Sequence, residues 1–162
     1  MRSRQVLATC LAWLLTQVVA AEAATDSSTL RHFAGLPEHS EVRLSPGGRY
    51  AAAKVYSGGH YILAIYDLDN LGKAPPVVAS PEDMEVNWLH WKSDGRLLVS
   101  LWFASRRWGT PTVETRLFAL DPDGRNMKLM VKPKRDDIPV QIADDVVSFL
   151  PGDPDHIAMA FN

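Results

Sequence analysis

Apolar residues in this chain come in short runs, paired across tight polar turns. The clearest case is Val86-Asn87-Trp88-Leu89-His90-Trp91-Lys92-Ser93-Asp94-Gly95-Arg96-Leu97-Leu98-Val99-Ser100-Leu101. It reads as strand, turn and strand. Aromatic and β-branched residues suit a pleated surface. Lys92-Ser93-Asp94-Gly95 supplies the turn, with Asp94 tolerating the bend and Gly95 expected at a positive φ. Leu97 to Phe103 is apolar at nearly every position. A strand without in-out alternation is one covered on both faces.

The unit recurs. Glu41-Val42-Arg43-Leu44-Ser45-Pro46-Gly47-Gly48-Arg49-Tyr50-Ala51-Ala52-Ala53 has the same plan, with Leu44 in the place of Trp91 and Gly48-Arg49 matching Gly95-Arg96. A weaker copy runs from Val146 to Ala160, with Leu150 at the same position. Leu44, Trp91 and Leu150 are 47 and 59 residues apart. Four-stranded repeats every ~40–50 residues are the signature of a β-propeller. The longer interval calls for a loop, and Pro133 to Pro139 is the natural place.

The pattern therefore predicts an all-β chain holding a partial β-propeller of about two and a half four-stranded antiparallel blades, over residues 41–162. The first blade (41–80) has strands Glu41–Leu44, Arg49–Ser57, His60–Leu68 and Pro76–Ala79, with Ser57-Gly58-Gly59 as its second turn. The second (84–132) has Glu85–Trp91, Arg96–Ala104, Val113–Asp121 and Met127–Val131. Asp121-Pro122-Asp123-Gly124 is expected to be a turn like that of Lys92 to Gly95. Ser105 to Pro111 reads as a longer loop carrying Trp108, a residue type that serves binding surfaces as well as packing. The third blade (144–162) offers two strands, the second from His156 to Phe161. Two and a half blades cannot close a ring, so the end faces would stay bare. The chain is accordingly expected to be the front portion of something longer.

Composition changes the picture at the N-terminus. Arg2 and Arg4 precede an apolar run from Val6 to Ala20, and Ala21-Glu22-Ala23 fits a small-x-small cleavage site. The run is shorter than the ~20 residues of a bilayer span. Residues 1–23 thus read as a signal peptide, and the protein as exported, periplasmic or secreted, with no membrane span after cleavage. Residues 24–40 form a linker with a short helix from Thr29 to Leu36, ended by Gly35 and Pro37. The single cysteine, Cys10, lies in the signal segment, so the mature chain is expected to have neither disulfides nor thiolate chemistry. A formal net charge of −2 with dispersed basic residues gives no footprint for nucleic acid.

Several stretches resemble a known family. They are Phe33-Ala34-Gly35-Leu36-Pro37 after the helix, Val42-x-Leu44-Ser45-Pro46-Gly47-Gly48-Arg49-Tyr50, Tyr66-Asp67-Leu68, and Asn87-Trp88-Leu89-His90-Trp91-Lys92-Ser93-Asp94-Gly95-Arg96-Leu97-Leu98. Together they resemble the N-terminal propeller of exported prolyl oligopeptidase-family serine peptidases, of the dipeptidyl-peptidase and acylaminoacyl-peptidase type. The resemblance covers roughly Leu30 onward. It implies a propeller that filters peptides on their way to a C-terminal α/β-hydrolase domain bearing the Ser-Asp-His triad. That domain's Gly-x-Ser-x-Gly signature occurs nowhere in this sequence. Nor does the adjacent glutamate pair with which some members hold a substrate's amino terminus. No catalytic, cofactor-binding or metal residue is therefore carried over, and no cofactor is expected. Peptides would be partners only through the absent domain. The alternative is a periplasmic propeller that binds or scaffolds without catalysis, with the Ser105–Pro111 loop as its surface.

The remaining chemistry-bearing residues favour plain roles. The histidines at 32, 39, 60, 90 and 156 are scattered, and His90 sits between Leu89 and Trp91 in a packed strand. Asp67-Leu68-Asp69-Asn70-Leu71-Gly72 starts like a calcium loop, then places Leu71 at the fifth position and Val78 at the twelfth, where a glutamate belongs. Asp136-Asp137 and Asp144-Asp145 read as solvated loop carboxylates, because neighbouring residues point apart rather than across a cleft.

Overall fold

Short apolar runs separated by tight polar turns put the chain into antiparallel hairpins. The structure, a computed structural model, describes residues 35, 37–72, 77–78, 83–132 and 140–160. Among the described residues ten strands form three antiparallel sheets. The first sheet is β1 (His39–Leu44), β2 (Tyr50–Ser57), β3 (His60–Asp67) and β4 (Val77–Val78), in that spatial order. The second is β5 (Glu85–Ser93), β6 (Arg96–Arg107), β7 (Thr110–Leu120) and β8 (Lys128–Leu129), again in chain order. The third pairs β9 (Val146–Ser148) with β10 (Ala158–Met159). Sheets of this kind are meanders, because neighbouring strands follow one another in chain order.

The second sheet is the middle layer. Leu97, Val99 and Leu101 alternate with Leu98 and Ser100 along β6, and all five are buried. Leu97, Val99 and Leu101 join Leu89, Trp91 and Leu120 in packing on Ala52, Leu63 and Ile65 of the first sheet. Leu98, Leu117 and Ala119 face the other way, onto Val146, Phe149, Ile157 and Met159. The register explains the partition: Leu97 faces Leu120 and Val99 faces Phe118, while Leu98 faces Ala119. Each cross-strand pair shares a face. The expectation of a doubly covered strand holds from Leu97 to Leu101, whereas Trp102 and Phe103 are half-buried.

Three local expectations need correction. Ser105 to Pro111 is not a loop. The β6–β7 ladder continues through Arg106↔Pro111 to Arg107↔Thr110. The turn is only Trp108-Gly109, at φ +49° and +83°, matching Gly58-Gly59 at +62° and +91° in the first sheet. Two consecutive left-handed residues give the twist that a two-residue hairpin needs. Gly95, in contrast, has no positive φ, whereas Gly124 of the Asp121 turn has φ +79°. The two turns therefore differ in type. A bulge between Trp91 and Ser93 reorients the chain before Asp94, which relieves Gly95 of the left-handed role. Lastly, β10 spans only two residues, and Phe161 lies outside the described residues, as do the signal segment, the Thr29–Leu36 helix and Pro133 to Pro139.

β1 also bulges, at Glu41 with φ +50°, and its Val42 and Leu44 are 56% and 62% exposed. The equivalent residues in β5, Leu89 and Trp91, are buried under the first sheet. Among the described residues no helix is long and apolar enough to cross a membrane.

Replacing Leu97, fully buried in the middle layer, by alanine should cost about 3 kcal/mol in urea denaturation, against less than ~0.5 kcal/mol for Val147→Ala on the exposed side of β9. Trp108→Asn should raise stability by roughly 0.5–1 kcal/mol, since asparagine takes the left-handed turn position at lower strain.

Candidate functional site

The first strand of each sheet lies at the same edge, and polar contacts run from one to the next. Glu41 Oε1 of β1 accepts from the Leu89 amide of β5 at 3.2 Å, and Lys54 pairs with the same carboxylate at 2.6 Å. Lys54 also donates to the Asn87 carbonyl. Trp91 Nε1 donates to the Arg43 carbonyl at 2.9 Å, and its ring stacks on Tyr50. The first turns are joined too. The Gly47 amide donates to Asp94 Oδ1 at 2.7 Å, and a Cβ on Gly47 would lie 2.5 Å from Asp94 Oδ2. A larger residue at Gly47 would have to push the Asp94 carboxylate aside.

On the other side, Lys92 Nζ donates to the carbonyls of Phe149 and Leu150. His90 stacks flat on Phe149, with centroids 3.5 Å apart, and Trp88 meets the same ring edge-on. Burial holds the His90 pKa below its ordinary value, and the charges of Lys92 and Arg43 add to the effect. A neutral imidazole stacked on a phenyl ring is a packing residue, in keeping with its sequence context.

The segment linking the second and third sheets contains what the sequence reading missed. Residues 140–144 lie along the free part of β7. The Thr115 amide donates to the Gln141 carbonyl, Arg116 donates to the Val140 carbonyl, and the Ala143 amide donates to Thr115 Oγ1. This path carries Asp144 inward. It is 8% exposed, far from the solvated loop position expected for it. Its carboxylate accepts four hydrogen bonds: from Ser100 Oγ and Thr115 Oγ1 at 2.5 Å each, Trp88 Nε1 at 3.0 Å and Asn87 Nδ2 at 3.2 Å. Burial pushes its pKa up. The bonds from Ser100, Thr115, Asn87 and Trp88 together outweigh that and hold it below the usual carboxylate value. Asp145 beside it makes no such set. Trp88 and Asn87 are the one trace in the sequence, polar groups in a strand that otherwise packs.

At the opposite end of the sheets lies an open groove of about 660 Å³, lined by Arg49, Tyr50, Asp94, Gly95, Asp121, Pro122 and Asp123. Its charges are already engaged. Arg49 pairs with Asp67 at 3.3 Å and Asp69 at 3.5 Å. Asp121 is held by Asn126 at 2.6 Å and Arg96 at 2.7 Å. Asp94 accepts from the Gly47 amide, and Asp123 from the Arg125 amide at 2.9 Å. Hydrogen bonds to Asp94, from Ser45 first, and to Asp121, from Asn126 first, keep both carboxyls below their ordinary pKa. The groove is thus a fixed, negatively charged ledge rather than a proton-transfer site.

The other candidates stay apart. His39 bonds Tyr66 Oη at 3.0 Å, and His156 bonds Asp153 at 3.0 Å on the surface. Asp67 caps the 3-10 turn Leu68–Asn70 through the Asp69 amide, which is how Asp67 to Asn70 ends β3. Among the described residues no three histidine, cysteine or carboxylate side chains converge as metal ligands. Asp136 and Asp137 fall outside the described residues. Ser100 hydrogen-bonds a carboxylate but is fully buried, so no substrate carbonyl reaches it. No family model matches this chain, and neither does any curated protein or solved structure.

Asp144→Ala should destabilise the fold by on the order of 2–3 kcal/mol at neutral pH, because four donors lose their acceptor. The sign with pH follows from a folded pKa below the unfolded one. The stability is present above the ordinary aspartate value of ~3.9 and is lost as pH falls through the folded value. Denaturation of both proteins across that range should therefore show the gap closing on acidification.

Proposed function

We propose that this chain is the non-catalytic propeller part of an exported serine peptidase, that it controls which peptides gain access, and that peptide-bond hydrolysis falls to a triad outside these 162 residues. One observation carries most of the reading. Two complete four-stranded meanders, each in strict chain order, stack face to face, with a third hairpin on the far side. The contacts that join them come from the same part of each unit: Arg43 and Glu41 of β1 against Trp91 and Leu89 of β5, then His90 and Lys92 of β5 against Phe149 and Leu150 just after β9. This is how successive blades pack in a propeller. The peptidase assignment rests on the Ser-Pro-Gly-Gly-Arg-Tyr and Trp-Lys-Ser-Asp-Gly-Arg turns and the stretches around them.

A non-catalytic role agrees with the local chemistry. Asp94, Asp121 and Asp144 spend their hydrogen-bonding capacity on turns and strands of the fold. Export follows from Arg2, Arg4 and the apolar run to Ala20.

The test is the native polypeptide in the exported fraction, detected with an antibody against Lys92 to Leu101 and labelled with a fluorophosphonate. The reading predicts a band several times heavier than 18.0 kDa that takes the label. A native species no heavier than 18.0 kDa, unlabelled and without a labelled companion, overturns it.

A further inference from the structure

The β6–β7 hairpin reaches beyond the equivalent hairpin of the first sheet. Counting from Tyr50 and Leu97, the matching residues after the first turns, β2 ends at Ser57 where β6 has reached only Ala104. β6 continues to Arg107, an overhang of roughly 10 Å at ~3.3 Å per residue. Ala104 faces Val113 and Arg106 faces Pro111, so these four share one side of the overhang, and all four are exposed. At the apex Trp108 is 98% exposed and makes no ring contact among the described residues.

Trp108 costs the fold something. A non-glycine residue at φ +49° is strained, and asparagine or glycine fills such a turn position more cheaply. The bulky ring returns no packing within the described part of the chain. The charge around it has one sign. From Ala104 to Val113 there are two arginines and no acidic residue. Arg107 is turned back onto Glu114 at 3.3 Å. Arg106 is exposed and, among the described residues, reaches only the Gly109 carbonyl of its own turn, at 3.3 Å.

We propose that this tip docks on an anionic lipid surface, with Trp108 at the headgroup level and Arg106 on the lipid phosphates. Along the hairpin axis an aromatic stands at the apex, and Arg106, which has no ion pair among the described residues, lies two residues behind it beside Pro111, with Ala104 and Val113 further back. That layering matches an interface whose properties change along its normal. Tryptophan settles at the boundary of apolar and polar regions, and a nearby arginine gains from the negative surface. A pocket on a protein partner would have to wrap a convex tip, and nothing in the tip favours that over a layered surface. The proposal is independent of the peptidase reading.

The test uses the full chain with vesicles of brominated phosphatidylcholine, with and without phosphatidylglycerol. The apolar run from Val6 to Ala20 could hold the chain on vesicles by itself, so the readout is the emission of Trp108 alone, taken as wild type minus Trp108→Phe. We expect that difference emission to shift to the blue and to be quenched on anionic vesicles, not on neutral ones. Arg106→Glu should weaken the lipid dependence roughly tenfold or more, and added salt should do the same. Circular dichroism matching the wild type confirms that both surface variants fold. A Trp108 emission that stays water-like on anionic vesicles overturns the proposal, even with the chain bound. So does equal quenching on neutral vesicles, or a shift produced by an acidic protein and not by lipid.

Discussion

A sheet with apolar side chains on both faces cannot stand alone in water, and β5–β8 is such a sheet. Its side chains point alternately at two different neighbours, with Leu97, Val99 and Leu101 in one direction and Leu98 in the other. The first and third sheets are each satisfied on the face they turn to it. Folding of the described region is therefore organised from the middle outward. The polar contacts between sheets add direction to that burial. Glu41, Trp91 and Asp94 fix how the first sheet sits, while Lys92 and Asp144 fix the third side.

Asp144 shows how a buried charge acquires a structural role. It lies between the second and third sheets in sequence, yet all four of its donors belong to the second. The link is pinned to the sheet it has just left before the chain turns into β9. Four donors give the carboxylate enough compensation to remain ionised in a site that would otherwise favour the neutral acid. A half-satisfied carboxylate there would be worse than a valine, so the network works as a unit.

Much of this was legible in the sequence. The strands of both four-stranded sheets, their order and the doubly covered character of β6 follow from short-range pattern: short apolar runs without in-out alternation, turn residues and a repeated turn signature. The failures have a common origin in information that is not local. Ser105-Arg106-Arg107-Trp108-Gly109-Thr110-Pro111 looks irregular because tryptophan is a poor residue for a left-handed turn and proline a poor one for a strand. The long ladder on either side forces the turn regardless. Asp144 looks like any loop carboxylate next to Asp145. Its burial depends on Ser100 and Thr115, which are 44 and 29 residues away. Gly95 was given the wrong backbone role because the bulge two residues earlier leaves no mark in composition.

The outermost strands are short. β4 and β8 pair over only two residues each, Val77–Val78 and Lys128–Leu129, although the strands inside them run for eight or more. Along the rest of β7 the open edge is taken up by residues 140–143, through backbone and threonine hydrogen bonds. At these outer edges the terminal strand offers a foreign strand a frontage only two residues long, and on β8 one of the two is a lysine. Cohesion in the described region lies mainly in the stacking of the sheets, and on this side the direction in which fibrils grow is kept short.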